Sequence, residues 1–281
     1  MTPLFVLAAF FIALGSGFLG ALLGLGGGTI MVPLLIFLLH VPIQIASGAS
    51  IIAVVATSSA SAAVYVRDEV TNMRLGMFLE LATTLGAITG GFLMASASES
   101  MLKAVFGVTL LYASFTMGSQ LRNNSRSWEY RPDDILSKRL KLGGSYHDAA
   151  RGEIIEYGIT NTWATFGISY LAGIISGLLG IGGGGIKVPA MNIISSVPMK
   201  VAVATSNFMI GVTAAASAIV YIRHGFCDGF ITAPVVLGTL IGSFIGAKVA
   251  LRVRGVVLKR VFIIILLILG VRMLASGVGL L

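Results

Sequence analysis

The sequence predicts an all-α polytopic membrane protein made of two inverted-topology repeats, and three observations lead there. First, of 281 residues 56% are hydrophobic and only 11% charged, with a mean hydropathy of +0.97. A soluble chain of this size needs far more charge to cover its surface. Second, the stretch Gly24-Leu25-Gly26-Gly27-Gly28-Thr29-Ile30-Met31-Val32-Pro33 returns as Gly180-Ile181-Gly182-Gly183-Gly184-Gly185-Ile186-Lys187-Val188-Pro189, an offset of 156 residues. The register holds without a gap through Pro42/Pro198, Ser50/Ser206, Thr57/Thr213, Tyr65/Tyr221, Gly86/Gly242 and Gly90/Gly246, so one unit occurs twice. Third, each copy holds three long apolar segments and a broken pair, an odd number of crossings, which sets the copies in opposite orientations.

The first repeat occupies residues 1–119, with apolar segments at 4–23, 29–39, 43–66, 74–97 and 101–119. The second, residues 158–281, repeats them at 158–179, 185–195, 199–222, 229–251 and 256–276. A spanning helix needs about 20 residues, so 29–39 and 185–195 are too short to cross. Each is a half-helix joined to its predecessor through the glycine break, or one arm of a re-entrant hairpin. Met1-Thr2-Pro3 lacks the basic start of a signal peptide, and the first segment is kept as a membrane helix.

Residues 120–157 form the hydrophilic linker, with seven basic and six acidic residues. Trp128, Tyr130 and Tyr146 suggest an ordered segment lying against the membrane. Arg67, Arg74, the linker, Lys200 and the cluster Arg252, Arg254, Lys259, Arg260 all fall on one face in this topology. By the positive-inside rule that face is cytoplasmic and both termini lie outside, with the Arg223-His224 turn as the exception. The location is the cell (inner or plasma) membrane, crossed many times.

Several chemistries are excluded. The net charge of +8 is spread among membrane segments and short loops, which argues against nucleic acid. Cys227 is the single cysteine, so neither an intrachain disulfide nor a cysteine-based metal site is available. The glycines mimic a dinucleotide fingerprint, yet no strand precedes them and no acidic residue occurs before Asp68. No catalytic triad, metal cluster or cofactor motif is present, and no enzyme reading follows.

The same glycines suit a transporter. Consecutive glycines let several N–H groups converge on an anion, and a half-helix starting there points its positive end at that spot. Broken helices at equivalent places in inverted halves mark a binding site. The candidate substrate-binding residues are therefore Gly26, Gly27, Gly28, Thr29, Gly182, Gly183, Gly184 and Gly185. Ser50, Thr205, Ser206 and Asn207, near the starts of the third segments, join them as donors. The competing reading of these small polar residues is packing and back-bonding to the helix, the stronger one for Thr57, Ser58, Ser59, Ser61, Thr213 and Ser217. Lys187 replaces Met31 and is expected either to face the anion or to snorkel. Glu80 lies within an apolar segment, where a carboxylate is expensive, and is the candidate coupling residue.

The paired G-x-G-G-G-x-I-x-V-P motifs, the Ala-x-x-x-Ser and Ala-Thr-Ser-Asn stretches, and the pairs Gly86/Gly90 and Gly242/Gly246 resemble the TauE/SafE sulfite exporter (TSUP) family over nearly the whole chain except 120–157. The resemblance implies a transporter of small sulfur-containing anions such as sulfite or organosulfonates. Its partners would be that anion, the bilayer and a coupling proton or cation, with a homo-oligomer as an open option. Gly185 for Thr29 and Lys187 for Met31 mean that the halves need not contribute equally. A secondary carrier, acting as an exporter by alternating access, is the leading reading. An anion channel, or a non-transporting sensor or scaffold acting through 120–157, are the rivals.

Overall fold

A computed structural model describes residues 3–123, 131–148, 152–252 and 256–279. Trp128, Tyr130 and Arg254 lie outside them. The helices, in chain order, are α1 (Pro3–Leu23), α2 (Gly28–Leu39), α3 (Ile43–Arg67), α4 (Met73–Ser96), α5 (Glu99–Asn123), α6 (Ile135–Leu140), α7 (Thr162–Leu179), α8 (Gly184–Pro189), α9 (Met199–Arg223), α10 (Gly229–Arg252) and α11 (Val256–Gly277). Among the described residues, eight helices are long and apolar enough to cross a membrane. The protein is a multi-pass, predominantly helical membrane protein.

The glycine breaks end α1 and α7 and start α2 and α8. Gly24, Gly26 and Gly27 have φ of 74°, 80° and 75°, and their register mates Gly180, Gly182 and Gly183 have 70°, 81° and 71°. A side chain is strained at such angles, so the repeated glycines are what allow the same reversal in both halves. Past the break the halves diverge. α2 runs 12 residues and ends at His40, whose left-handed backbone (φ 52°) lets its N–H return to Leu35 O. The segment expected over 185–195 is instead a six-residue helix followed by a π-turn at Ala190–Ile194.

Packing between the halves is reciprocal. α1 lies on α10 as α7 lies on α4, α3 meets α10 as α9 meets α4, α3 crosses α9, and α5 pairs with α11. Glycines make the closest approaches. A Cβ at Gly86 would sit 2.2 Å from Tyr170 O, and one at its mate Gly242 would sit 2.0 Å from Leu14 O. Gly90 and Gly246 repeat this against Ile174 O and Phe18 O. Such contacts let backbones touch where no hydrophobic effect drives helices together. Along α5 and α11, Ala104 lies by Gly277, Gly107 by Gly270 and Leu274, and the Ser114 hydroxyl donates to Ile263 O. These two helices therefore run antiparallel.

The linker departs from an all-helical reading. It holds α6 and an antiparallel hairpin, β1 (Gly144–Asp148) with β2 (Glu153–Tyr157), in register Gly144↔Tyr157 to Asp148↔Glu153. The hairpin is ordered because it docks. Asn72 Nδ2 donates to Leu142 O (2.7 Å) and Tyr157 Oη (3.0 Å), while Tyr146 and Tyr157 are buried. Burial pushes the Tyr157 phenol up to about 12, partly offset by its hydrogen bond with Asn72.

Candidate functional site

The fold brings the two glycine breaks, far apart in sequence, into contact. A Cβ on Gly28 would lie 3.0 Å from Gly180 O and Ile181 Cα; one on Gly184 would lie 2.1 Å from Gly24 O and 2.8 Å from Leu25 Cα. The whole region is buried. Among the described residues, the amides of Gly26, Gly27, Gly28 and Thr29, and those of Ile181, Gly182, Gly183, Gly184 and Gly185, have no backbone hydrogen-bond partner. Buried amides without backbone partners are rare, and here nine of them flank one contact.

The serines act differently from the expectation that they donate toward an anion. Ser50 Oγ donates to Gly180 O (2.7 Å), and Ser206 Oγ donates to Gly24 O (3.1 Å). Each caps the carbonyl end of the helix from the other half, a position where a donor satisfies an otherwise orphaned oxygen. Asn207 Nδ2 likewise donates to Ala21 O (3.2 Å) and Val203 O (3.1 Å), leaving Oδ1 buried without a partner. Thr205 Oγ1 accepts the N–H of Asn72 (3.0 Å), which ties α9 to the α3–α4 turn. Thr29 Oγ1 is buried and without a partner. At its mate Gly185, a small apolar cavity opens among Leu23, Leu25, Met117, Val188 and Met199.

The other hydroxyls mostly bond helix carbonyls, as packing predicts. Thr57 bonds Ala53 O and Ser61 bonds Thr57 O, whereas Ser58 reaches Asn207 O across α9.

Lys187 and Glu80 belong together. Lys187 is 1% exposed and Glu80 7%, so neither snorkels. Lys187 Nζ donates to Thr213 Oγ1 (2.9 Å), and that hydroxyl donates to Glu80 Oε1 (2.7 Å). Thr83 and Thr84 donate to the two carboxylate oxygens at 2.8 and 2.9 Å. Ammonium and carboxylate do not touch, unlike Lys103 and Glu99, which pair directly at 3.5 Å. Lys187 also flanks the glycine turn: a methyl on Gly183 would lie 3.2 Å from its Cε and 3.1 Å from Ser176 Cβ. Ser176 Oγ is buried without a partner.

Sequence reasoning missed Ser176, Thr83 and Thr84. The signals were there: Ser176 stands where the register has Gly20, and the threonines follow Glu80 at helical spacings of three and four. Among the described residues no cluster of three or more His, Cys, Asp or Glu could hold a metal ion.

Residues 9–273 match the family described as "Sulfite exporter TauE/SafE". The chain belongs to the TauE/SafE family. Relatives of this TauE/SafE protein are uniform in description. YunE of Bacillus subtilis is 25% identical over 94% of this chain and 95% of its own length. YdhB of the same organism is 25% identical over 91% and 93%. MJ0441 of Methanocaldococcus jannaschii is 24% identical over 90% and 86%. All three are described as probable membrane transporter proteins. No solved structure matches the chain.

Proposed function

We propose that this TauE/SafE protein is a secondary carrier of small sulfur-containing anions, sulfite or an organosulfonate, exporting them by alternating access between two inverted repeats. The observation that carries the reading is the contact between the two glycine breaks, Gly28 on Gly180 and Gly184 on Gly24, with nine buried amides around it. Unspent N–H groups at glycine turns suit an anion's oxygens. A site shared by two halves can change its exposure when one half rocks on the other. The contact reciprocity supports an inverted arrangement: equivalent helices α5 and α11 lie antiparallel, as a two-fold axis across the helices requires. In this reading the linker is cytoplasmic and both termini lie outside, which the distribution of basic residues supports.

Counterflow of labelled sulfite in proteoliposomes is the test. Accumulation in wild type, absent from a folded Gly183→Leu variant, is expected. No counterflow with sulfite or larger sulfonates, together with a large conductance, would replace the carrier by a channel.

A further inference from the structure

We propose that the transported anion and Glu80 compete for Lys187, so that each monoanion moves together with one proton. This rests on the carrier reading above.

Lys187 is a buried ammonium with three N–H donors, of which Thr213 takes one. Among the described residues the two others have no partner, and the Lys187 Cε lies by the positive-φ Gly183, which also faces Ser176 with its unpartnered hydroxyl. An unspent donor on a buried charge is costly, and an acceptor with negative charge at that spot relieves it. Glu80 is the opposite: its oxygens accept from Thr83, Thr84 and Thr213, and it meets the ammonium only through the Thr213 hydroxyl.

The duplicated fold supplies an internal control. The register mates of Lys187, Thr213 and Glu80 are Met31, Thr57 and Val236. Met31 is buried, Val236 packs against the hydrophobic core, and Thr57 bonds its own helix at Ala53 O. The same architecture thus stands with no charge at these positions, so packing does not require the pair. Ionisable groups buried in membrane helices at such cost mark ion pathways, and a buried pair by itself is weak evidence of stabilisation.

α7 and α9 pack against α4, and α8 reaches Glu80 through Thr213 of α9. α7 offers Tyr170, α9 offers Lys200, Tyr221 and Arg223, and α8 offers Lys187; of these, Lys187 is the one joined to Glu80 through a side chain.

The coupling follows from charge alone. With the site free, the ammonium and the Glu80 carboxyl share the Thr213 hydroxyl between them. An anion seated on Lys187 neutralises the ammonium's field and adds its own negative charge nearby, and in a low-dielectric interior the carboxylate then takes up a proton. The O–H bond forms on Glu80, Lys187 keeps its charge, and one monoanion plus one proton bind without net charge. Because the linkage is reciprocal, protonation of Glu80 also tightens the anion; the two travel in the same direction, outward where the anion's own gradient outweighs that of the proton and inward where the pH gradient prevails.

The test uses full-length protein in proteoliposomes with labelled sulfite outside and a pH dye inside. Wild type is expected to acidify the lumen as sulfite enters and to concentrate sulfite under an inside-alkaline gradient. Glu80→Gln is expected to lose that pH-driven accumulation and to exchange sulfite independently of pH. Lys187→Met should weaken sulfite by about tenfold or more, within the range of coupled sites. The double variant Lys187→Met with Glu80→Val installs the side chains of the register mates Met31 and Val236, guards against misfolding, and should melt like wild type while accumulating nothing. Wild-type accumulation in Glu80→Gln or in the double variant overturns the competition and leaves the carrier reading standing. Absence of exchange in wild type with sulfite and with larger sulfonates overturns the carrier reading and this inference with it.

Discussion

Ser50 donates its hydroxyl to the carbonyl of Gly180 at 2.7 Å, across 130 residues of chain, and its register mate Ser206 does the same to Gly24 at 3.1 Å. Each half thus supplies the donor that caps the other half's broken helix. Ser50→Ala and Ser206→Ala leave one buried carbonyl short of a partner, at a cost of about 1 kcal/mol each. Melting of each purified variant should fall by a similar amount. A drop for one and none for the other would show that the two bonds are not equivalent.

The glycine contacts give a sharper contrast. Gly86→Ala and Gly242→Ala drive a methyl to about 2 Å from a backbone oxygen, which only separation of the helices relieves. Both should lower folded yield steeply. Gly167→Ala, where nothing lies within 4 Å, should match wild type or gain up to about 1 kcal/mol from helix propensity. Size-exclusion profiles of the three variants distinguish the outcomes.

At the linker, Asp134 caps α6 through Ser137 N–H (2.7 Å) and accepts Thr162 N–H (2.7 Å) at the start of α7. Partial burial pushes its carboxyl up, but the backbone N–H donors from Thr162 and Ser137 outweigh it and hold the group below the ordinary aspartate value. A lowered folded value means stabilisation that is complete above the unfolded value, about 3.9. It is withdrawn as pH falls through the folded one. Asp134→Asn keeps a cap without the charge. The melting difference between wild type and variant should be constant at neutral pH and shrink below about pH 4. A difference that grows on acidification would refute the assignment.

Asn72 joins the linker to the membrane helices. It caps α4 by accepting Leu75 N–H, donates to Leu142 O and Tyr157 Oη, and gives its own N–H to Thr205. Asn72→Ala should cost about 1 kcal/mol for the cap alone and expose the hairpin to protease. A carrier should retain most of its sulfite counterflow when the hairpin loosens, whereas a sensor acting through 120–157 would lose its output.

The segments were legible because lipid imposes long apolar runs and glycine and proline end them: the expected 43–66 is α3 at 43–67, and 74–97 is α4 at 73–96. The hairpin at 144–157 was not, since its strands are short and polar and are held by Asn72 from another element. Gly185 gave no warning that α8 would give way to a π-turn. Glu80 and Lys187 stood out singly as ionisable residues in apolar surroundings. Their union depends on Thr213, 133 residues from Glu80, a separation that no local periodicity encodes.

By itself, the amino-acid sequence determined the membrane class, the duplication, the glycine breaks and the family, because hydropathy, glycine backbone freedom and a fixed 156-residue register are local or linear properties. Tertiary structure alone decided that the two breaks touch, that Ser50 and Ser206 cap the opposite half, and that Lys187 is linked to Glu80. Those are contacts between distant segments, chosen by which helix faces pack and by the need to satisfy buried polar groups where no water can.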